Sequence, residues 1–235
     1  MAGTVVFDLD GTLADTSGDL VAAANACFRA RGLGDLLDPV GDALTAFHGG
    51  RAMLRAGYGR MGPDHLLPPG AEDEDFNLLL GHYGASIAVH TTLYPGVMET
   101  LDRLAGDGHI LSICTNKPEA LAHQLLGALG IADRFAAMIG ADTLPVKKPD
   151  PRHYRAAVEQ AGGEVARSFL VGDTETDRKT AAAAGVRCVL VGFGPEGEAI
   201  TRLAPDALLA HFDALPDLAR DWLGQEEGGR CPPSP

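Results

Sequence analysis

Asp8 and Asp10 stand two residues apart where an apolar run ends, in Thr4-Val-Val-Phe-Asp-Leu-Asp-Gly-Thr-Leu13. Carboxylates at the end of a buried strand are costly unless something pairs them. The usual compensation is a divalent cation with oxygen ligands, here Mg²⁺. Gly11 follows at once and permits a turn that other residues resist. Three later stretches carry complementary groups. Thr115-Asn116-Lys117 places a hydroxyl and an amide that can donate to phosphate oxygens, and Pro118 opens the next helix. Val146-Lys147-Lys148-Pro149-Asp150-Pro151 holds half of the lysines, the others being Lys117 and Lys179. A lysine near clustered carboxylates neutralises a phosphoryl group and fixes its position. Gly172-Asp173-Thr174-Glu175-Thr176-Asp177 sets one carboxylate in a glycine turn and another in a first helical turn, where it also suits the helix dipole. Together Asp8, Asp10, Asp173 and Asp177 bring four negative charges toward one place. A cation and a lysine would offset them and admit a phosphate dianion, the arrangement phosphoryl transfer requires.

The elements that must position these groups follow from periodicity. Val5, Val6, Phe7 and Leu9 predict a strand buried on both faces, which favours a parallel sheet. Residues 14–91 show helical spacing and no strand pattern. One helix carries Leu20, Val21, Ala24, Cys27 and Phe28 on one face, with Ser17 as N-cap and Gly32 as stop. Short helices are expected at Asp42–Phe47 and Arg51–Tyr58, parted by His48-Gly49-Gly50. A loop at Pro68–Asp75 precedes a fourth helix through Phe76, Leu79, Leu80 and Tyr83. From Pro95, helices at Gly96–Ala105, Glu119–Leu129, Arg152–Ala161 and Thr176–Ala184 alternate with strands at His109–Cys114, Ala136–Ile139, Ser168–Val171 and Val186–Val191. This alternation predicts an α/β fold, a Rossmann-like parallel sheet core of residues 1–13 and 92–223, with residues 14–91 inserted as a helical cap after the first strand. Residues 224–235 are rich in Gly and Pro and are expected to be a disordered tail. Ligands of open α/β sheets sit at the carboxyl ends of the strands, where all four charged stretches fall.

Composition removes several function classes. The net charge of −13 argues against a nucleic-acid or anionic-membrane surface. No apolar run is long enough to span a bilayer, and the N-terminus enters the first strand without a basic segment, so a soluble cytoplasmic protein is expected. The four cysteines, Cys27, Cys114, Cys188 and Cys231, are widely spaced, which fits reduced thiols. No histidine pair has zinc spacing. Gly192-Phe-Gly194-Pro-Glu-Gly197 matches a dinucleotide fingerprint formally, but it follows a late strand and places Pro195 and Glu196 where backbone N–H groups are needed.

The four stretches, in order, resemble the motifs of the haloacid dehalogenase-like phosphatase superfamily: Asp8-Leu-Asp-Gly-Thr-Leu-Ala-Asp15, Thr115-Asn116, Lys148 before Pro-Asp-Pro151, and Gly172-Asp173 with Asp177. Within it, Leu93-Tyr-Pro-Gly-Val97, Cys114-Thr-Asn-Lys-Pro118 and Lys148-Pro-Asp-Pro151 are most similar to phosphoglycolate phosphatases. The resemblance implies that Asp8 is a nucleophile and Asp10 a general acid and base. It assigns Mg²⁺ to Asp8, the Asp10 carbonyl and Asp173, and makes Asp177 an orienting group. Gly11, Thr115, Asn116 and Lys148 would hold the phosphoryl group, with Lys148 favoured over Lys147. The inserted helices would read the rest of a small phosphorylated metabolite, through Gly50 and an Arg51 that meets its carboxylate. The implied substrate is 2-phosphoglycolate. Sugar phosphates, nucleotides and pyrophosphate are the alternatives, then a β-phosphoglucomutase-like isomerase, then a non-catalytic binding protein. Leu20 stands where such an isomerase typically carries histidine. Monomer and homodimer both remain open.

Overall fold

The computed structural model describes residues 3–62 and 70–224. Its strands are β1 (Thr4–Phe7), β2 (Ala14–Asp15), β3 (Thr92–Leu93), β4 (Ile110–Cys114), β5 (Ala137–Ile139), β6 (Ser168–Gly172), β7 (Arg187–Val191) and β8 (Ala207–Leu209). Its α-helices are α1 (Ser17–Ala30), α2 (Ala43–Phe47), α3 (Gly50–Gly59), α4 (Ala71–Ala85), α5 (Val97–Gly106), α6 (Glu119–Ala128), α7 (Pro151–Gln160), α8 (Glu175–Ala184) and α9 (Leu215–Leu223).

Six strands form one parallel sheet in the order β5-β4-β1-β6-β7-β8. Central β1 is wholly buried because its side chains alternate between two apolar layers. Val5 and Phe7 join Leu101, Leu104, Leu125 and Leu223 of α5, α6 and α9 on one face. Val6 joins Tyr154, Ala157, Val158 and Ala181 of α7 and α8 on the other. Each such buried side chain contributes roughly 1.5–3 kcal/mol. Register then aligns the strand ends. Phe7 pairs with Ile113 and with Val171, so Asp8, Thr115 and Asp173 emerge at one edge of the sheet.

α1–α4 pack around a separate apolar cluster that includes Val21, Phe28, Met53, Leu54, Leu79 and Tyr83. A polar knot crosses it. Buried Asp75 of α4 accepts from Arg31 Nε at 2.9 Å and from the Tyr58 hydroxyl. Asp19 of α1 accepts from the backbone N–H groups of His90 and Thr91, which ties the returning chain to the start of this unit.

Several sequence expectations are corrected. Residues 14–91 were expected to lack strands, yet β2 pairs antiparallel with β3, Ala14 opposite Leu93. These strands are too short to leave a periodic pattern. The loop expected at Pro68–Asp75 falls partly outside the described residues, and Ala71–Asp75 are helical. Glu72, Asp73 and Glu74 form the first turn of α4, where acids oppose the helix dipole. Ser17 does not cap α1; it is the first helical residue, and Asp15 Oδ1 accepts from its N–H at 3.0 Å. β8 and α9 extend the α/β unit beyond the last strand expected at Val191. The pseudo-fingerprint at Gly192 leads into a 3₁₀ stretch, Gly197–Leu203, rather than an α-helix. The expected disordered tail lies outside the described residues beyond Gly224. Among the described residues, no helix is long and apolar enough to cross a membrane.

Candidate active site

The aligned strand ends open into a cavity of about 400 Å³ between the sheet edge and α1–α4. Asp8, Asp10, Thr115, Asn116, Lys117 and Lys148 line it from the sheet side. Leu20, Phe47, His48, Gly49, Gly50, Leu79 and Tyr83 line it from the helical side. Its size falls near the low end of small-molecule sites, ~300–1,000 Å³.

Lys148 organises the floor. Its side chain is 1% exposed, and its ammonium lies 2.9 Å from Asp8 Oδ2 and 2.6 Å from Asp177 Oδ1. Neighbouring Lys147 is exposed, so Lys148 is the lysine of the pair that lies among the carboxylates. Burial opposes charge on Lys148, but the carboxylates of Asp177 and Asp8 outweigh it and raise its pKa. Asp177 is fully occupied. Its Oδ2 accepts from the Thr174 hydroxyl at 2.6 Å and from the backbone N–H groups of Thr174 and Asp173 at 3.1 and 3.3 Å. Thr174 and Asp177 together make the capping box that starts α8. One carboxylate therefore fixes both the helix start and the lysine.

The nucleophile candidate Asp8 accepts from the Leu9 N–H at 2.8 Å through Oδ1. Burial raises its pKa to about 6, more than Lys148 lowers it. Burial also raises Asp173 well above the usual carboxylate range, aided by Asp177 and Asp8. Asp173 Oδ1 accepts from the Thr12 hydroxyl at 2.7 Å, while its buried Oδ2 has no hydrogen-bond partner. Carboxylate oxygens of Asp8, Asp173 and Asp177 lie within 4.8 Å of one another. An orphaned carboxylate oxygen in an acidic, all-oxygen cluster suits a hard divalent cation such as Mg²⁺. With Asp177 already occupied, Asp8 and Asp173 are the carboxylates left to hold one.

Other expected residues divide. Thr115 is buried on the cavity wall, and its Oγ accepts from the Lys117 N–H at 3.2 Å. Asn116 also lines the cavity, and its Nδ2 donates to the Lys148 carbonyl at 3.1 Å, which pins the lysine loop and leaves one further N–H on the amide. Gly50 is on the cavity wall. Gly11 and Arg51 are corrections. The Gly11 N–H donates to the Ala14 carbonyl at 2.9 Å and so is not offered to a phosphate. What Gly11 provides is closeness: at φ +79° it lies so near Asp173 that a Cβ would come 2.2 Å from Oδ2. Arg51 does not line the cavity. Its guanidinium is paired with Asp73 at 2.7 Å and lies over the Phe76 ring.

Sequence reading missed the surroundings of Asp10. Its Oδ1 accepts from the Thr16 hydroxyl at 2.7 Å and from Lys117 Nζ at 2.8 Å. Lys117 appeared in a quoted motif, but nothing in the pattern showed that it would be buried. At the rim, Arg202 pairs with Glu196.

Comparison with known proteins agrees with this geometry. The family model for haloacid dehalogenase-like hydrolases matches residues 2–185. A phosphoglycolate phosphatase of Mesorhizobium japonicum is 40% identical over 211 residues, covering 90% of this chain and 92% of that protein. One from Agrobacterium fabrum is 39% identical, covering 89% of each chain. The crystal structure of a predicted phosphoglycolate phosphatase from Haemophilus somnus superposes with a TM-score of 0.80 at 25% identity, covering 92% of this chain and 97% of that one.

Proposed function

The chain belongs to the haloacid dehalogenase-like hydrolases, and on that premise we propose that it is a Mg²⁺-dependent phosphatase of small phosphomonoesters, with 2-phosphoglycolate as its substrate. The observation that carries the chemistry is the buried Asp8–Lys148–Asp177 chain beside the orphaned Asp173 oxygen. The names of relatives up to 40% identical support the substrate.

In this reading Lys148, Thr115 and the free Asn116 N–H hold the phosphoryl oxygens. Lys148 also keeps Asp8 aimed, since its ammonium contacts that carboxylate directly. Asp8 attacks phosphorus and forms an aspartyl phosphate, and the P–O bond to the leaving group breaks. Asp10 gives its proton to the departing oxygen, then takes one from the water that hydrolyses the aspartyl phosphate. Mg²⁺ would be held by Asp8, Asp173 and the Asp10 carbonyl, where it supplies charge neutralisation to the transferring group. The helices α1–α4 act as the cap, whose apolar side chains exclude bulk water from the cavity. Leu20 on that wall has no group able to move a proton, which favours hydrolysis over the mutase alternative.

The test is phosphate release by the purified protein with Mg²⁺ or with EDTA, across 2-phosphoglycolate, sugar phosphates, nucleotides and pyrophosphate. The expected result is metal-dependent release with the highest kcat/KM for 2-phosphoglycolate, abolished by Asp8→Asn. Release retained by that variant would overturn the mechanism. A broad profile centred on another ester would overturn the substrate alone.

A further inference from the structure

Lys117 plays no part in the steps above, yet it is held with unusual care. Its side chain is 4% exposed. The ammonium donates to both oxygens of Asp10, at 2.8 and 3.1 Å, and sits 4.2 Å from the centre of the Tyr83 ring. Tyr83 belongs to α4, so this ammonium lies between the acid–base candidate on the sheet side and the helical wall. Leu20, Leu79, Leu80 and Leu121 make the wall around the cavity apolar. Tyr83 is itself buried, and its hydroxyl has no hydrogen-bond partner.

A buried ammonium bordered by aromatic and aliphatic groups attracts anions strongly, because water competes little. The remaining lysine and arginine groups on the cavity wall do not fill this role. Lys148 sits between Asp8 and Asp177 on the floor, where it serves the phosphoryl end of the site, and Arg202 is half-exposed at the rim and paired with Glu196. Arg51 faces Asp73 outside the cavity. An ammonium has three N–H donors and can serve Asp10 and a second oxygen anion together.

We propose that Lys117 is the specificity-determining residue of this site: its ammonium receives a carboxylate borne by the same carbon as the ester oxygen. The inference rests on the reading of Asp8 as nucleophile and Asp10 as acid and base. Asp10 must reach the leaving oxygen. A carboxylate on the adjoining carbon lies beside that oxygen, so a cation bonded to Asp10 meets it without moving far. A compact ammonium suits this shared contact better than the wide guanidinium fork. The site then selects α-phosphoryloxy carboxylates, the class to which 2-phosphoglycolate belongs, over esters with a neutral carbon in that place.

The experiment compares kcat/KM for 2-phosphoglycolate and for ethyl phosphate, which carries a methyl group where the first has its carboxylate. Wild-type protein and Lys117→Met are measured in parallel with Mg²⁺, after a thermal melt shows that the variant is folded. The wild-type protein is expected to favour 2-phosphoglycolate. Lys117→Met is expected to lose about 10- to 100-fold of that preference, the worth of one charge-assisted hydrogen bond, chiefly through KM. An equal loss on both esters would mean that Lys117 only positions Asp10, and would overturn the proposal. If the variant does not fold, the wild-type ratio decides: release from both esters without preference overturns this proposal alone. Release from neither ester overturns the parent reading and this one with it.

Discussion

Asp8→Asn is expected to stabilise the metal-free protein at neutral pH while removing its activity. Burial raises the Asp8 pKa from its ordinary 3.8 to about 6. A carboxyl whose folded pKa is raised favours the folded state fully below the unfolded value, because the folded form binds the proton more tightly. That contribution is lost as pH climbs through the folded value. From 3.8 to about 6, at ~1.4 kcal/mol per pH unit, the loss is about 3 kcal/mol, complete above pH ~7. The amide of Asn carries no such dependence. It keeps the shape, and Lys148 retains Asp177 at 2.6 Å. In EDTA the variant and the wild type should therefore be alike near pH 4 and diverge by about 3 kcal/mol near pH 7.5. For a chain of this size that is ~6–12 °C in Tm. Groups that titrate the other way, such as Asp150 beside Arg152, are present in both proteins and cancel in the difference. The assay is thermal or urea unfolding of both proteins in EDTA across that range, repeated with Mg²⁺. The divalent ion should restore much of the wild-type stability at pH 7.5 and little at pH 4. A variant less stable than wild type at pH 7.5, or a difference that does not change with pH, would refute the claim that burial disfavours the charged Asp8 carboxylate in the metal-free site.

Lys148→Ala leaves Asp8 and Asp177 buried without their cation, so a loss of about 3–5 kcal/mol in urea unfolding is expected. Its kcat should fall by at least about 10³-fold in the phosphate-release assay, and Lys148→Arg should not rescue it, because a side chain 1% exposed leaves no room for the guanidinium. Gly11→Ala places a methyl group 2.2 Å from Asp173 Oδ2 on a backbone at φ +79°. The conformation alone costs about 1–2 kcal/mol, and displacement of Asp173 should lower kcat by about 10²-fold or more, read from the Mg²⁺ dependence of phosphate release. Asp75→Ala removes the buried carboxylate that accepts from Arg31 and from the Tyr58 hydroxyl in the helical unit and should cost about 3–5 kcal/mol. Hydrogen exchange would locate that loss in α1, α3 and α4 and leave the β1, β4 and β6 amides protected.

Asp8, Asp173, Lys148 and Asp177 were legible in the sequence because their positions are fixed by something the sequence displays. Asp8 and Asp173 follow short apolar runs, Lys148 precedes a proline-stiffened turn, Asp177 falls in the helical turn just after Asp173, and parallel strands in register bring such ends to one edge. Asp10 was legible as a charge, though its partner Lys117 was not. A solvated lysine and a buried one are written identically, and what buries Lys117 is Tyr83, delivered by a helix from another part of the chain. The misplacement of Arg51 and the reading of Ala71–Asp75 as part of a loop share one cause. Composition rich in Pro, Gly and acid signalled an irregular stretch, but acids also begin helices. Once Glu72 and Asp73 are placed in the first turn of α4, they stand opposite Arg51 and hold it away from the cavity. Gly11 shows the converse. A turn that other residues resist was foreseen, but the reason for it was not. The turn serves the close approach of Asp173 rather than a bare N–H for phosphate, and only a strand distant in sequence reveals that. The residues of the proposed chemistry are thus written locally, at strand ends, whereas the proposed substrate discrimination rests on contacts between the helical unit and the sheet edge. That division explains why Lys117, the group on which those two parts converge, emerges from the structure rather than from the motif containing it.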